Sequence, residues 1–438
     1  MKLPQYILDI LHTINSAGYE AYVVGGCVRD YLLNRDIHDY DICTNALPEV
    51  TLFLFEHCVP TGLKHGTITV LSKTPVEITT FRVESEYQDH RHPDAVHYVS
   101  TIQEDLSRRD FTINAMAYHP NTGIIDPYNG QLDLQKRMIR CVGNPDRRFH
   151  EDALRMLRAY RFCAKLGFTI EKETEKSILR NYSYIQYVSV ERIVHELIEI
   201  MKYDPQIIAD MTLLLKPIIP ELDEALHCQQ NSIYHYTDVL HHILDAMSYL
   251  KPYDETLAFA LLFHDLGKMQ VKTTDENGYD HFYKHPKYSK EIAHAYCLKL
   301  KLTREQRKWI PFYVEHHDDD FVSSLKTIYR YRVEYGIDEE HLYNLMQIRY
   351  CDAMAHSEKG RESIQKIKDF YVFYNKNNDR CMSTKDLCIT GKDVLEYSTY
   401  SGKEIQLVLK ECVRFCFYDP EMNKKSKLIP ILQNHKVL

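Results

Sequence analysis

The sequence is short of the residues that interrupt regular structure, with 15 glycines and 16 prolines in 438 residues, which excludes collagen-like and low-complexity chains. It has no run of about 18 apolar residues able to span a bilayer. Its first residues, MKLPQYILDILHTINSAG, lack the charged start, apolar run and small-residue cleavage site of a signal peptide. A cytoplasmic protein that touches no membrane is expected. The twelve cysteines run from Cys27 to Cys416 without a C-x-x-C pair. The closest two, Cys412 and Cys416, have no second pair nearby to complete a zinc site, so scattered reduced thiols are expected. Basic residues are the minority, 54 Lys and Arg against 62 Asp and Glu, for a net charge of −8. The sum argues against a nucleic-acid partner, but the distribution does not. Between Lys136 and Arg180 twelve basic residues face six acidic ones, a basic stripe in an acidic chain.

What is present is a globular composition, 44% apolar and 26% charged, long enough for two to four domains. Ile7, Leu8, Leu11 and Ile14 recur at helical spacing, predicting a helix from Leu3 to Ala17. AYVVGG reads as a buried strand entering a glycine turn, followed by a helix from Val28 to Leu33, and strands are predicted over 37–43, 66–71 and 76–81. After Arg147 the pattern is helical. The expected fold is α+β: a head with a mixed β-sheet and helices over 1–142, a helical neck over 143–204, a helical body over 205–374 and a helical tail over 375–438, divided at turn-rich or polar stretches.

Two glycines and two aspartates stand out in the head. Gly25 and Gly26 lie between a strand and a helix, where backbone N–H groups can face an anion, although most such pairs are plain turns. Arg29, three residues on, could reach the same phosphate. Asp39 and Asp41 would point to one face of a strand, an arrangement that repels unless a cation bridges it, and Mg²⁺ suits an all-oxygen site; the alternative is a solvated acidic strand end. Glu77 could add a third carboxylate. In the neck, Asp152, Arg155, Arg158 and Arg161 are spaced three apart and would form one helical ridge. A carboxylate acceptor beside a guanidinium donor matches the Watson–Crick edge of cytosine or adenine and repels that of uracil or guanine. The simpler reading is a solvated basic face carrying an ion pair.

These segments resemble a known family. VVGGCVRDYLLNRDIHDYDICTNALPE is similar to the signature of the DNA polymerase beta-like nucleotidyltransferases, in the branch containing class II CCA-adding enzymes and bacterial poly(A) polymerases. EITTFRVESEYQDHRHPDAVHYVSTIQEDLSRRDFTINAMAY resembles that family's flexible loop and its motif at Arg108, Arg109 and Asp110. HEDALRMLRAYRFCAKLGF resembles its base-reading motif, and SVERIVHELIEIM the helix-turn motif that follows. The resemblance implies Mg²⁺ on the catalytic pair Asp39 and Asp41, nucleotide contacts from Gly26, Arg29, Arg109, Arg158 and Arg161, and base reading by Asp152 and Arg155. It implies template-free addition of CCA to the 3′ end of tRNA from CTP and ATP, with pyrophosphate released. The loop from Glu84 to Thr101, with Asp89, Arg91 and Asp94 as polar levers, is expected to gate the change from CTP to ATP. An A-adding enzyme or a poly(A) polymerase shares these motifs and stays open.

The body carries a different chemistry. His264 and Asp265 in LAFALLFHDLGK, with His242 upstream and Asp352 downstream, resemble the H…HD…D pattern of metal-dependent HD phosphohydrolases. Imidazole and carboxylate ligands suit Mn²⁺, Ni²⁺ or Fe. His242 is expected to be the ligand rather than its neighbour His241, and His285 and His316 are possible further ligands. In the family such a domain is associated with phosphodiesterase or phosphatase activity; a purely structural domain, or a protein acting mainly as an HD phosphohydrolase, are the alternatives. The tail, ending near NKKSK, resembles the family's C-terminal segment and is expected to hold the tRNA body.

Overall fold

The computed structural model describes residues 1–63, 66–87 and 93–434, with the backbone alone at 84–87 and 93–96. The chain forms two compact units, Met1–Glu224 and Ala225–Leu438.

The first unit opens with α1 (Gln5–Ser16), which buries Ile7, Ile10, Leu11 and Ile14 on one face. The elements that follow are β1 (Ala21–Val24), α2 (Gly26–Leu32), β2 (Asp41–Thr44), α3 (Pro48–Leu54), β3 (Cys58–Gly62), β4 (Thr67–Leu71) and β5 (Pro75–Thr80). Next come the hairpin β6 (Arg82–Tyr87) and β7 (Pro93–Tyr98), then α4 (Ile102–Ser107), β8 (Ala117–His119), β9 (Gly123–Ile125), α5 (Gly130–Gln135) and β10 (Met138–Ile139). Seven strands make one sheet in the order β3-β4-β5-β2-β1-β8-β9. Only β2 and β5 run parallel in it, so the sheet is mixed, as expected. Val24, Cys43, Phe81, Ile102, Leu106 and Ala117 pack as a buried core cluster of this head.

One prediction here is corrected. The strand foreseen over 37–43 begins only at Asp41, which pairs with Val24 on one side and Glu77 on the other. Continuing the β1 ladder would require Gly25, but Gly25 turns away at φ 74° into α2. Asp39 therefore lies in the loop before the strand, and strand alternation is not what brings it to Asp41. The helix foreseen from Val28 likewise starts earlier, at Gly26.

The helical part of this unit comprises α6 (Pro145–Glu151), α7 (Leu154–Leu166), the two-residue strand β11 (Thr169–Ile170) paired with β10, α8 (Lys172–Asn181) and α9 (Val190–Tyr203). Asn144 caps α6 by accepting from the Arg147 N–H, and Pro145 occupies its first turn. The continuous ridge from Asp152 to Arg161 is also corrected. Asp152 is extended, at φ −149° and ψ 105°, and its carboxylate accepts the Leu154 N–H at 3.1 Å, so it sits in the break between α6 and α7. An aspartate favours a helix start for that reason. The three arginines remain on α7, which packs against α9.

Among the described residues the second unit is helical apart from one two-stranded pair, Thr273–Thr274 with Asp280–His281. Helix Val239–Ser248 packs on Glu339–Ala355, and Arg304–His316 packs on both Glu255–Phe263 and His285–Lys299. Leu257 to Phe263 are all buried, which makes Glu255–Phe263 the central helix and places His264 and Asp265 at the end of a buried segment. Gly267 is required by close approach: a Cβ there would meet the Ser289 backbone nitrogen at 2.4 Å. The tail has its own apolar cluster, including Ile389, Val394, Val408, Val413 and Leu428. Among the described residues no helix is long and apolar enough to cross a membrane, and all twelve cysteines are free thiols.

Candidate active sites

The first unit holds a cleft of about 440 Å³. At its sheet end, Gly25 connects β1 to α2 in a conformation only glycine adopts readily, and a Cβ there would lie 3.0 Å from Arg109 Nη1 and 4.0 Å from Asp41 Oδ2. Asp41 lies opposite Glu77 in parallel register, so both side chains leave the same face of the sheet. The protein packed around Asp41 pushes its carboxyl above the usual range; Glu77 and Asp39 push the same way, while Arg109 opposes them. Glu77 and Asp39 are near enough to raise the Asp41 carboxyl, but of the three only Asp41 lines the cleft; carboxylate oxygens suit a hard cation such as Mg²⁺.

The opposite charge fills the rest of the cleft. Its lining has eight cationic side chains, Arg29, Arg108, Arg109, Arg155, Arg158, Arg161, Lys165 and Arg192, against Asp41, Asp110 and Asp152. Each guanidinium is held in place. Arg29 grips Asp30 through Nε and Nη2 at 2.8 and 2.9 Å and donates from Nη1 to Asn114 Oδ1 at 2.6 Å. Asn114 donates to Asp110 Oδ1 at 3.1 Å, and Arg158 donates from Nε and Nη2 to Asp110 Oδ2 at 2.9 and 2.6 Å. Burial alone would raise the Asp110 carboxyl, but Arg158 and Asn114 hold it down at about 2. Arg108 and Arg109 share the fully buried Asp105, and Arg109 Nε is buried without a hydrogen-bond partner. Arg161 donates to Glu196 at 2.5 Å. The Phe162 ring lies under three of these cations, with Arg161, Arg29 and Arg158 at 4.4, 5.2 and 5.7 Å from its centroid.

The Asp152–Arg155 ion pair foreseen as the simpler reading does not form. Asp152 is gripped by Arg192 through both terminal nitrogens, at 3.2 and 2.7 Å. Arg155 is held by Glu151 at 2.7 Å and by the Arg148 and Arg108 carbonyls at 3.2 and 3.0 Å. Because Asp152 lies in the helix break, its carboxylate faces α9 rather than α7. Of the foreseen residues, Gly25, Gly26, Arg29, Asp41, Arg109, Asp152, Arg155, Arg158 and Arg161 all line the cleft. Asp89 and Arg91 lie outside the described residues, and Asp94 falls within β7, where the backbone alone is described. Sequence reasoning missed Asn114, Phe162, Lys165 and Arg192; Asn114 and Arg192 sit inside quoted motifs, four residues after Asp110 and within SVERI.

The second unit brings the HD residues together. His242 Nε2 lies 2.9 Å from Asp352 Oδ1 and 3.4 Å from Asp265 Oδ2, and His264 Nε2 lies 3.4 Å from Asp265 Oδ2. His264 Nδ1 is 2.6 Å from the Leu261 carbonyl, which fixes the ring with Nε2 toward the cluster. Burial alone would raise both carboxyls, but His264 and Lys268 around Asp265, and His356, His242 and Arg349 around Asp352, hold them well below the usual range. His264 Nε2 and both Asp265 oxygens are buried without a directed hydrogen bond. Buried imidazole nitrogens and carboxylate oxygens turned toward one another fit a transition metal.

The histidine doublets are resolved by the structure. His242, not His241, joins the cluster; His241 instead meets the capping Asp238 at 2.7 Å. His285 joins it, 3.1 Å from Asp265 Oδ1, but His316 does not, being paired with Asp319. His317 takes that place, 3.6 Å from Asp265 Oδ1, because its Nδ1 is anchored on the Val314 carbonyl. Three candidate groups result among the described residues, His242–His264–Asp265, Asp265–His285–His317 and His235–His242–His356, with Asp265 common to the first two and His242 to the first and third. His235, Lys268 and His356 complete the surroundings and were not foreseen.

Three family models match parts of the chain. Residues 21–140 match the poly A polymerase head domain, 167–226 the probable RNA and SrmB-binding site of polymerase A, and 233–342 the HD domain. Curated CCA-adding enzymes of Lactobacillus johnsonii and Geobacillus thermodenitrificans are 54% identical over 193 residues and 49% identical over 199, or 44% and 45% of this chain. The matched region spans about half the length of those relatives, 48% and 49%. The crystal structure of the Bacillus stearothermophilus CCA-adding enzyme in complex with CTP aligns over 100% of this chain and 98% of its own, at TM-score 0.73 and 26% identity. The chain resembles CCA-adding enzymes in sequence and in fold. The Thermotoga maritima CCA-adding enzyme complexed with tRNA_CCA shares the fold at TM-score 0.58 and 20% identity over 99% of this chain and 96% of its own. The head thus matches a nucleotidyltransferase-type domain, and the second unit holds His and Asp groups that could bind a metal ion.

Proposed function

We propose that the first unit is a CTP(ATP):tRNA nucleotidyltransferase that builds or repairs the 3′-terminal CCA without a template. The observation that carries this reading is one cleft with Asp41 at one end, arginines along its length and Asp152 at the helix break. Mg²⁺ on Asp39 and Asp41, with Glu77 beside them, would supply Lewis acidity at the α-phosphate and favour the alkoxide form of the RNA 3′-hydroxyl. The protein's own part is positioning and charge neutralisation. Arg29, Arg109, Arg158 and Arg161 receive the triphosphate, and the unpaired Arg109 Nε is a donor that a phosphate oxygen would satisfy.

Asp152 accepts the amino group of cytosine or adenine by exchanging Arg192 for the base. Arg155 keeps Nη1 on Glu151 and turns Nη2 from the Arg108 carbonyl to the ring nitrogen. UTP and GTP would set carbonyl against carboxylate, a buried mismatch costing several kcal/mol, on the order of 1–3 for each unmet group. The primer would be tRNA, bound at its acceptor stem and 3′ end, with the tail on the tRNA body. The relatives of known structure that hold CTP and tRNA_CCA favour these substrates. The test is incubation with Mg²⁺ and tRNA ending at the discriminator base. Two residues added with CTP and three with CTP and ATP, followed by a stop, is the expected result. An open A ladder would make it a poly(A) polymerase, and addition of A only to tRNA already ending in CC an A-adding enzyme.

The second unit supports a second reading, a metal-dependent phosphoesterase. Its buried, clustered His and Asp donors favour this over a purely structural domain. Mn²⁺, Ni²⁺ or Fe held by His242, His264, Asp265 and Asp352 would supply an activated water there.

A further inference from the structure

Each of the seven arginines lining the transferase cleft is ion-paired with a carboxylate of the fold, at 2.5 to 3.3 Å. The eighth cation, Lys165, is paired with none among the described residues. Its ammonium lies instead 5.4 Å from the centroid of the Tyr203 ring. A ring face steadies a cation without cancelling its charge. Lys202, over the same ring at 5.8 Å, has Glu199 at 4.0 Å. Lys165 also stands in the last turn of α7, where the helix dipole favours a cation. A side chain pointing into solvent would serve the dipole equally well, yet this one is half-buried and lines the cleft.

Its place along α7 points to the anion it meets. Arg155 is the second residue of that helix and Lys165 the last but one, a rise of about 15 Å, comparable to an extended nucleoside triphosphate from base to last phosphate. With the base at Asp152 and Arg155, the chain of phosphates runs over Phe162, where Arg29, Arg158 and Arg161 converge. Lys165 follows Arg161 on the same face, about 6 Å further along. This end of α7 is also anchored to the head, because Arg35, just beyond α2, donates from Nη1 to the Lys165 carbonyl at 3.1 Å. The helix α2 begins at Gly26, on the phosphate-facing turn, so both ends of the path belong to one framework.

We propose that Lys165 is a further nucleotide-binding residue, which leaves the Tyr203 face to receive the terminal phosphate of the incoming triphosphate. This rests on the transferase reading of the first unit. The terminal phosphate carries more charge than the inner ones, and an ammonium not already compensated by a carboxylate attracts it most strongly. The flexible lysine stem lets that charge follow the phosphate, which an arginine locked on a carboxylate does not. No bond is made or broken at Lys165.

The test is calorimetric titration of the full chain with CTP and with CDP in the presence of Mg²⁺. Wild type is expected to bind CTP about tenfold more tightly than CDP. Lys165→Ala removes that preference by weakening CTP alone, Lys165→Arg retains most of it, and Lys202→Ala, beside the same ring, retains all of it. No preference in the wild type, an unchanged preference in Lys165→Ala, or an equal loss on both nucleotides would overturn the proposal. Binding of tRNA is expected to be unchanged in Lys165→Ala; a loss on tRNA with CTP intact would assign the lysine to an RNA phosphate and overturn it as well. If CTP binds with the expected preference but tRNA is not extended, the transferase reading falls and the phosphate seat stands. If the wild type binds neither nucleotide, that reading falls and tripolyphosphate decides the seat. A Kd about tenfold weaker in Lys165→Ala would then uphold it, and identical Kd values would overturn it.

Discussion

Asp110 shows how much of the transferase cleft hangs on one side chain. It joins Arg158 directly and Arg29 through Asn114, so it sets the aim of two cleft guanidiniums without lining up as a donor itself. Its folded carboxyl is held at about 2 against an ordinary 3.8. A depressed carboxyl contributes stability that is complete above the unfolded value and lost as pH falls through the folded one. The expected contribution is about 2 kcal/mol at neutral pH, disappearing between pH 4 and 2. Urea midpoints measured across that window should fall for the wild type and flatten for Asp110→Asn. At this scale the sequence was readable where a residue type leaves one choice: Gly25, whose positive φ and missing Cβ admit Arg109, and His264–Asp265. It was not readable at the doublet His316–His317. Nothing in VEHH separates His316 from His317, because what separates them is which imidazole finds a carbonyl three residues back.

Elements decide which of the side chains meet. A regular spacing of three from Asp152 to Arg161 implies one ridge, yet Asn144, Pro145 and the capping preference of Asp152 split the segment into α6 and α7. The split frees Asp152 for Arg192 on α9 and leaves Arg155 to Glu151. Periodicity alone does not register a cap competing with a helix. Arg155→Ala should lower CTP and ATP incorporation together, by about tenfold or more, since the base loses one donor and Glu151 loses a buried partner; unchanged incorporation would remove Arg155 from base reading. Arg192→Ala frees Asp152 without emptying the pocket of its carboxylate. It should weaken selection against UTP more than it slows CTP, measured as the ratio of their kcat/KM values. In the second unit, the sharing of Asp265 by two triads predicts that metal analysis after Mn²⁺ loading finds more than one ion per chain, falling in His317→Ala.

Over the whole molecule, the transferase cleft lies within Met1–Glu224 and the HD cluster within Ala225–Leu438. Asp41→Asn should therefore abolish nucleotide addition and leave metal binding at the HD cluster intact, and His264→Ala should do the reverse. A loss of both functions in either single variant would mean that the two chemistries are coupled. The mixed sheet, the change to helix near Arg147 and the order of the motifs were legible because each rests on local periodicity or on several residues at once. The division at 224/225 was not, since it depends on long-range packing. The net charge of −8 was the least informative quantity, because the cleft reverses it locally.

The Phe162 ring lies beneath three guanidiniums in a cleft where cations outnumber anions eight to three. Before any ligand arrives, these like charges are pressed together at a cost to the fold. A polyvalent anion relieves that crowding whether it enters as a reactant or stays behind as the departing pyrophosphate. The preparation kept in pyrophosphate should thus melt at a higher temperature than one kept in chloride at equal ionic strength, and the leaving group should compete with the next nucleotide for the seat it has just vacated.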